Sequence, residues 1–451
     1  MHGTNFPKVI YQNRRENLAR AIRRQSGTGI AIVETAPEVL RNRDSEYPFR
    51  HDSDFFYLCG FEEPGALLVI DIQEKSIVTT LFCRPKDSER EIWDGVRLGP
   101  DAAAQYLGVD KAFAMTALDE HLPKLLAMHQ SVYTPIVRRT SSKINLEGWI
   151  RQIKEQSRSG VTPPHNFCDI EHLIHEMRLI KDDHEIDIMR RAARISAGGH
   201  IRAMQRCRPG LREYHLEAEL LHEFRRHGSQ HVAYNSIVAA GPNTCILHHR
   251  AGNAELQDGD LCLIDAGCEL DGYASDITRT FPINGKFSAR QRAVYEIVLA
   301  AQIAAIKQTK TGNIFTDPHD AAVRVITQGL MDLKIIQANS IETAIEQKLY
   351  QPYYMHRTSH WLGMDVHDVG DYRQRDTGII PPPSRTLQPG MVLTLEPGIY
   401  IREGSSAPPD FWNIGIRIED DALVTELECE LLSRDVPVSC DEIEYLMKDA
   451  S

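Results

Sequence analysis

The chain has 451 residues, more than one hydrophobic core usually serves, so two domains are expected. Its composition, 42% hydrophobic and 25% charged, is that of a globular protein and excludes disordered and collagen-like classes. A formal net charge of −12 and a pI near 5.9 argue against a large phosphate-binding surface, which needs clustered Lys and Arg. No nucleic-acid partner is therefore expected.

The sequence has no apolar run of signal-peptide length at its start and none long enough for a membrane span. We therefore expect no membrane partner and a cytoplasmic location. The 9 cysteines are scattered without a CxxC pair, which favours reduced thiols. Cys262 and Cys268 lie in apolar, strand-like runs, so packing is the favoured interpretation of both.

The amino-terminal part alternates short apolar runs, such as Gly29 to Val33 and Ala66 to Ile72, with helix-like stretches such as Leu118 to Met128. This alternation predicts an α/β domain. The stretch Ser159 to Phe167 combines Gly, Pro and Asn, which is typical of a connection. We place the boundary just after it, with domains over residues 1–173 and 174–451.

The second domain opens on a long helical pattern in which Asp182 and Glu185 have the spacing of a capping box. This helix is expected to end at Arg208-Pro209-Gly210. Strand-like segments lie between the later helices, so the fold class is α/β (α+β). Further helices are predicted at about Arg212 to His227, Ser288 to Gln308 and Pro318 to Leu333.

The segment DLCLIDAGCELDGYASDITRTF predicts a hairpin. Its two strand-like runs are joined by Asp271-Gly272, a dipeptide that favours the positive φ angles of a type I′ turn. If these two residues form the loop, Leu270 pairs with Tyr273.

Counting back along this hairpin places Asp265 opposite Thr278. Asp276 then shares a face with Asp265, with Cα atoms roughly 7 to 8 Å apart. One Asp could instead cap a turn while the other is solvated. The apolar run LCLID before Asp265 favours a buried carboxylate, which needs a partner or a metal.

Two further carboxylates follow strand-like segments. Glu396 ends the strand of GMVLTLEPG, just before a Pro-Gly stop. In NIGIRIEDDALV, Arg417 and Glu419 lie on the face opposite the isoleucines. A simple ion pair between Arg417 and Glu419 is the alternative interpretation of that face.

Histidines are dense in two loops. His356, His360 and His367 lie within MHRTSHWLGMDVHDVG, and His248 and His249 lie in ILHHR. A single histidine is more often structural, but this density suggests ligand and proton-transfer roles.

The four carboxylates Asp265, Asp276, Glu396 and Glu419 carry a charge of −4, which two divalent cations would balance. Oxygen-rich ligation with one imidazole suits Mn²⁺ better than Zn²⁺, although Co²⁺, Fe²⁺ and Zn²⁺ could also bind. Two metals roughly 3.5 to 4 Å apart would bridge a water and yield hydroxide at neutral pH. The chemistry indicated is hydrolysis.

These segments resemble the pita-bread metallopeptidases, which include methionine aminopeptidase, prolidase and aminopeptidase P. The resemblance implies five metal ligands, one in each of the segments LIDAG, SDITRTF, SHWLG, LEPG and IRIED. In that order they are Asp265, Asp276, His360, Glu396 and Glu419. Asp276 and Glu419 match the ligands that bridge both metals. The resemblance also implies a pita-bread catalytic domain at the carboxyl end, after a smaller α/β domain.

The resemblance assigns further roles residue by residue. His248 and His367 match histidines that contact the substrate and steady the tetrahedral intermediate, and His356 matches another active-site histidine. Arg417 and Tyr400 match residues that hydrogen-bond near the metal carboxylates.

The amino-terminal segments SEYPFRHDSDFFYLCGFEEPGALLVI and EIWDGVRLGPDAA resemble the smaller domain of aminopeptidase P. This implies a hydrolase that releases the first residue of peptides with proline second, by attack of a dimetal-bridging hydroxide with Glu396 as general base. The alternatives are an Xaa-Pro dipeptidase (prolidase) and an inactive pita-bread binding protein. Creatinase-like hydrolases use the fold without metal but lack these carboxylates.

The resemblance also implies a homo-oligomer, a dimer or tetramer, in which Trp93 is a candidate contact with a neighbouring subunit. A buried, structural Trp93 is the alternative. Arg357 and His249 depart from the family pattern, which usually has Gly and Tyr there. The segment 371–388, with three consecutive prolines, is longer than usual, and its role and that of its arginines stay open.

Overall fold

A computed structural model of the chain describes residues 7–137, 142–375 and 377–448. It divides into two compact units, Met1–Met177 (unit 1) and Arg178–Ser451 (unit 2). The predicted boundary after residue 173 falls inside a helix, Glu171–Leu179, and stays a prediction. Within the described ranges, no helix combines the length and apolar character that a membrane span requires.

Unit 1 mixes helices and strands, as the sequence predicts. Its helices are α1 (Lys8–Ser26), α2 (Ser53–Cys59), α3 (Ser88–Asp94), α4 (Gly99–Leu107), α5 (Leu118–Leu126), α6 (Leu146–Glu155) and α7 (Glu171–Leu179), the last of which continues into unit 2. Its strands are β1 (Gly29–Glu34), β2 (Leu40–Asn42), β3 (Ser45–Glu46), β4 (Leu67–Ile72), β5 (Ile77–Cys83), β6 (Lys111–Ala114), β7 (Ser131–Thr134) and β8 (Asn166–Asp169).

The described strands of unit 1 include a six-stranded sheet in the order β6-β5-β4-β1-β7-β8. The predicted apolar runs form β1 and β4, which pair antiparallel and are buried. The predicted helix α5 buries Leu118, Leu122 and Leu126, spaced four residues apart, against Trp149. The core of unit 1 therefore follows from the periodicity of its apolar residues.

The stretch Ser159 to Phe167 is only partly the connection that we predict. Its last two residues belong to β8, where Phe167 pairs with Val132 of β7. The local Pro and Gly content cannot predict the pairing of β8 with β7, because β7 lies more than thirty positions away in the sequence.

Trp93 is 84% exposed, so the interpretation as a buried structural tryptophan is wrong. It lies on α3, and Ile92 and Val96 beside it are also exposed. These three residues form an apolar surface patch on unit 1.

Unit 2 contains the remaining elements. Its helices are α8 (Asp183–Arg206), α9 (Glu213–Arg226), α10 (Ala289–Gln308), α11 (Asp317–Asp332), α12 (Ile341–Glu346) and α13 (Cys440–Lys448). Its strands are β9 (His231–Val232), β10 (Ile237–Ala240), β11 (Leu261–Asp265), β12 (Cys268–Leu270), β13 (Tyr273–Ala274), β14 (Thr278–Pro282), β15 (Val392–Leu395), β16 (Gly398–Ile401), β17 (Ile414–Arg417), β18 (Asp420–Val424) and β19 (Cys429–Leu431).

The predicted capping box at the start of α8 is confirmed. The Asp182 carboxylate accepts from the backbone N–H of Glu185 at 2.9 Å, and the Glu185 carboxylate accepts from that of Asp182 at 3.0 Å. The helix ends at Arg206, just before the predicted stop, and the predicted helices α9, α10 and α11 are also present.

Short sheets pack against two pairs of helices in unit 2. α8 contacts α9 ahead of β9–β14, and α10 contacts α11 ahead of β15–β19. The described strands form the groups β10-β11-β14, β13-β12-β9, β15-β18-β19 and β16-β17. An isolated bridge links Thr278, the first residue of β14, to Glu419, which lies between β17 and β18.

The cysteines behave as packing residues. All nine, which lie in the described ranges, are free thiols. Cys262 and Cys268 are fully buried in the core of unit 2, and burial raises the pKa of both thiols. Protonated, inaccessible thiols are poor metal ligands, which agrees with the predicted structural role.

A buried charge cluster ties the start of unit 2 to the loop that carries His367. Arg178 Nη2 lies 2.6 Å and Lys181 Nζ 3.0 Å from the two carboxylate oxygens of Asp368. Burial alone would raise the pKa of Asp368, but the charges of Lys181 and Arg178 outweigh it and hold the pKa below its ordinary value.

We expect Asp368→Asn to lower the free energy of unfolding at pH 7 by about 3 to 5 kcal/mol, because Lys181 and Arg178 lose a buried counter-charge and Arg178 then relies on the more exposed Asp365. A depressed folded-state pKa stabilises the fold above the unfolded value, roughly 3.9, and this contribution disappears as pH falls through the folded-state pKa. Urea unfolding at pH 7 and at pH 3 measures the difference. Asp435→Asn, at an exposed position, is the control. A difference independent of pH would contradict the assignment.

Candidate metal centre

The predicted hairpin is confirmed, and it positions the first two carboxylates. Asp271 and Gly272 both have positive φ, 49° and 81°, and β12 pairs with β13 across them in the predicted register. The same register continues into β11 and β14, where Asp265 pairs with Thr278. Asp276, two residues before Thr278, therefore lies beside Asp265.

Asp265 and Asp276 are both buried, at 9% and 5% exposure, so the alternative of a turn cap and a solvated carboxylate is wrong. The Tyr234 hydroxyl lies 2.6 Å from Asp265 Oδ1 and also contacts Asp276 Oδ1. The strands approach closely here, since a Cβ at Gly267 would overlap the carbonyl oxygen of Ser275.

Glu396 and Glu419 complete the group of carboxylates. Glu396 follows β15, and its backbone N–H donates to the Thr358 carbonyl at 2.8 Å. Glu419 lies between β17 and β18, where its N–H donates to the Thr278 carbonyl at 3.0 Å and Thr278 Oγ1 donates to Glu419 Oε2 at 2.6 Å. Strand ends thus fix both side chains.

His360 faces these carboxylates through one ring nitrogen. Nε2 lies 3.5 Å from Asp276 Oδ2 and 3.7 Å from Glu396 Oε1. Nδ1 lies 3.0 Å from the Trp361 carbonyl, which can only accept, so Nδ1 carries the proton. Nε2 is then the nitrogen that would release its proton to bind a cation, and ligand atoms of Asp276, His360 and Glu419 lie within 4.8 Å of one another.

The electrostatics of this group fit two divalent cations. Burial raises the pKa of Glu396 to about 7, against the opposing charges of His360 and Arg417. Burial and the charges of Asp276 and Glu396 hold the pKa of Glu419 well above its ordinary value. Burial lowers the pKa of His360, but Asp276 and Glu396 outweigh it and raise the pKa to about 9. The carboxylates thus lack enough positive charge, which bound cations would supply.

A directed chain of hydrogen bonds runs behind the carboxylates. Arg417 Nη2 donates to Asp265 Oδ2 at 2.6 Å, and Nη1 donates to the Tyr400 oxygen at 2.9 Å. Tyr400 Oη lies 2.8 Å from His356 Nε2, while His356 Nδ1 lies 2.8 Å from the Arg357 carbonyl. The carbonyl requires a proton on Nδ1, so Tyr400 donates to Nε2.

Two findings follow from this chain of hydrogen bonds. Among the described residues, Arg417 forms its ion pair with Asp265, so the simple Arg417–Glu419 pair is wrong. Burial and the charge of Arg417 lower the pKa of His356 to about 3, which keeps its imidazole neutral.

His248 and His367 lie on a cavity of about 1250 Å³ that also contains the carboxylates. The ring of His367 is 4.1 Å from that of His360 between centroids. Burial, and then the charges of His360 and His248, lower the pKa of His367. The structure thus brings together all the site residues that the sequence indicated.

A buried carboxylate that the sequence did not indicate holds the loop of His248. Glu213, the first residue of α9, is fully buried. It accepts from the backbone N–H of Ala240 and Gly252 at 2.9 Å each, from Asn243 Nδ2 at 2.9 Å and from His249 Nε2 at 2.8 Å. His249 therefore anchors the loop.

Tyr234 and His319 also line the cavity without any signal in the sequence. Tyr234 lies in the connection between β9 and β10, and His319 lies in the first turn of α11. His319 Nδ1 is 2.9 Å from Thr358 Oγ1, and burial together with the charge of Arg357 lowers the pKa of His319 to about 4. Only the fold brings these residues to the site.

Arg357 and the long segment 371–388, two of the three departures from the family pattern, are on the cavity as well. Arg357 lines it and is exposed. The segment 371–388, of which residue 376 lies outside the described ranges, contributes Tyr372, Arg373, Pro383 and Ser384 to the lining.

Comparison with known proteins gives consistent matches over nearly the whole chain. Residues 187–426 match the model of metallopeptidase family M24, and residues 11–133 match that of the aminopeptidase P N-terminal domain. The Xaa-Pro aminopeptidase of Escherichia coli is 44% identical over 97% of each chain, and that of Haemophilus influenzae is 42% identical over 98% of each.

Solved structures agree with these matches. The chain superimposes on aminopeptidase PepP of Pseudomonas aeruginosa with a TM-score of 0.95 and 46% identity, covering 99% of each chain. A variant of Escherichia coli aminopeptidase P in complex with substrate gives a TM-score of 0.94 at 42% identity, again over 99% of each chain.

We expect Glu213→Gln to loosen the loop of His248, because an amide offers one acceptor oxygen and turns an N–H₂ group toward buried donors. Exchange of the backbone amides of Ala240 and Gly252 should accelerate roughly tenfold or more, as measured by hydrogen-exchange mass spectrometry. Glu217→Gln, one turn along α9, is the control. Unchanged exchange over residues 240–252 would show that Glu213 is not the anchor.

Proposed function

The chain belongs to metallopeptidase family M24, and from that membership and the site we propose that it is a metal-dependent Xaa-Pro aminopeptidase. This hydrolase releases the N-terminal residue from peptides that have proline second. The observation that carries the proposal is the convergence of Asp276, His360 and Glu419 within 4.8 Å, with Asp265 and Glu396 on the same cavity.

In this proposal five residues would hold two divalent ions. The five are Asp265, Asp276, His360, Glu396 and Glu419. When bound, the ions lower the pKa of a water and offset the negative charge that develops on the scissile carbonyl. Mn²⁺ is the proposed native ion, because four carboxylates and one imidazole form an oxygen-rich set.

Glu396 acts as the general base. In the metal-free site burial raises the pKa of Glu396 to about 7, and bound cations would lower it, so the base role rests on the position of the carboxylate. Its Oε2 is 3.7 Å from His356 Nδ1, and its Oε1 is 3.7 Å from His360 Nε2, so it faces the centre of the group. It can deliver the proton to the departing prolyl nitrogen.

The remaining site residues orient the catalytic groups and stabilise the charge that develops during the reaction. Arg417 holds Asp265 in place and fixes Tyr400, which keeps the neutral imidazole of His356 at the site. His248 and His367 line the same cavity, where an imidazole N–H can donate to the oxygen of the tetrahedral intermediate.

A prolyl bond is a tertiary amide without an N–H, so the site needs no acceptor for that group. The names of the relatives from Escherichia coli and Haemophilus influenzae support this specificity. An Xaa-Pro dipeptidase would use the same ligands and is the alternative.

We also propose a homo-oligomer, a dimer or tetramer, in the cytoplasm. The apolar patch of Ile92, Trp93 and Val96 supports association, because 80%, 84% and 79% of their surfaces would otherwise face water. Free thiols at all nine cysteines, each within the described ranges, suit a reducing compartment.

Mn²⁺-loaded protein should release the first residue from the tripeptide Ala-Pro-Gly. We expect little release from Ala-Ala-Gly, and slower release from the dipeptide Ala-Pro than from the tripeptide. Chromatographic quantification of free alanine measures all three. A preference for the dipeptide would favour the Xaa-Pro dipeptidase, and no release from any peptide would refute the proposal.

Asp276→Ala should lower the bound metal below about two ions per chain. It should also reduce kcat on the order of 10³-fold, since loss of a ligand removes several kcal/mol of transition-state stabilisation. Elemental analysis and the peptide assay measure the two effects. Asp435→Ala, at an exposed position off the cavity, should retain metal and activity. Full metal content in the Asp276 variant would remove it from the ligand set.

A further inference from the structure

Three arginines that the proposed mechanism does not use line the same cavity as the metal ligands. Arg250, Arg357 and Arg373 lie on three different loops, and all three are exposed. Within the described ranges, none of them forms an ion pair with a carboxylate. A guanidinium is always charged and offers several donors in a plane, which suits a carboxylate ligand.

Hydrogen bonds of neighbouring histidines hold the backbone around the first two arginines. Arg250 follows His249, whose ring donates to the buried carboxylate of Glu213 at 2.8 Å. Arg357 follows His356, and the carbonyl of Arg357 accepts from His356 Nδ1 at 2.8 Å. These side chains therefore extend from held positions, which lowers the entropic cost of binding a ligand.

The third arginine is presented by the long segment 371–388. Arg373 bridges Ser384 across a small hairpin, and the backbone N–H of Arg385 donates to the Tyr372 carbonyl at 2.9 Å. Arg373 Nη1 donates to the Pro382 carbonyl at 2.6 Å, which directs the guanidinium. The prolines thus help to hold a charged side chain at the cavity.

The charge of the cavity differs from that of the whole chain, which carries −12. Among the described residues that line it, the carboxylates are Asp265, Asp276, Glu396 and Glu419. Two divalent ions would balance all four, and the arginines would then leave the cavity positive. Asp320 is close enough to Arg357 to feel its charge, but it is not among the lining residues.

We propose that Arg250, Arg357 and Arg373 bind a carboxylate of the peptide beyond its proline, so that the enzyme favours substrates with an acidic group there. This inference rests on the proposed aminopeptidase activity. The scissile bond must reach the metal carboxylates, and the α-ammonium of the first residue is repelled by guanidinium groups. The part of the peptide that meets the arginines is then the part after the proline.

Two sources can supply this carboxylate, the side chain of an acidic third residue or the free carboxyl terminus of a tripeptide. Three peptides, compared in two pairs, separate them: Ala-Pro-Glu-amide against Ala-Pro-Gln-amide, and Ala-Pro-Gln with a free carboxylate against the same Ala-Pro-Gln-amide. We expect the acidic member of at least one pair to have about tenfold higher kcat/KM, as two or three exposed ion pairs would give.

Variants test whether the arginines cause this preference. Each of Arg250→Gln, Arg357→Gln and Arg373→Gln should lower the acid-to-neutral ratio of kcat/KM about twofold to threefold, and the triple variant should bring it near one. Arg357→Lys should restore part of the ratio by keeping the charge. Arg226→Gln removes the same charge from an exposed position on α9 and should leave the ratio unchanged. Raising the salt concentration should reduce the wild-type ratio.

The possible outcomes separate a failure of the proposed aminopeptidase activity from a failure of the proposed arginine site. If none of the three peptides is cleaved by the Mn²⁺-loaded enzyme, the proposed function fails. If all are cleaved but acidic and neutral members do not differ, or the triple variant keeps the wild-type ratio, the aminopeptidase stands and the arginine site is refuted. A preference within one pair only supports the site and identifies the source of the carboxylate.

Discussion

Four carboxylates lie within reach of one another in the interior of unit 2, where like charges repel strongly because water is scarce. Much of the surrounding structure serves to hold them there. Arg417 and Tyr234 donate to Asp265, and Thr278 donates to Glu419. These donors do not balance the negative charge of the four carboxylates. The uncompensated negative charge makes the group a site for divalent cations.

Buried polar contacts hold the loops around this group. Asp368, paired with Arg178 and Lys181, directly follows His367. Glu213 binds the loop of His248 through four donors, and Tyr400 connects Arg417 to His356. Directional bonds fix the orientation of a loop better than nonpolar contacts do, and a histidine that must meet a substrate needs such orientation. The hydrogen-bond pattern thus links stability to catalysis.

The sequence predicts the parts of the site that depend on local periodicity. The Asp271-Gly272 turn sets a register that continues to Asp265 and Thr278, because side chains alternate strictly along a strand. Spacing could not indicate Tyr234 or Glu213, whose partners lie about thirty positions away in the sequence. Contacts of that range depend on tertiary folding, which periodicity alone does not encode. The same reason explains why Ser159 to Phe167 resembled a simple connection although its end pairs with β7.

The hairpin of segment 371–388 is held to the rest of unit 2 by main-chain hydrogen bonds. Ile314 bridges Thr386, and the Phe315 N–H donates to the Arg385 carbonyl at 2.8 Å. Main-chain bonds of this kind tolerate most side chains. The side chains of this hairpin, which form part of the cavity wall, can therefore be changed by mutation, or the whole hairpin can be replaced. The strand ends that bear the metal ligands are not altered by such changes. Chemistry and substrate preference are thereby separable in evolution, and in engineering the hairpin is a place to redirect the enzyme without rebuilding its metal site.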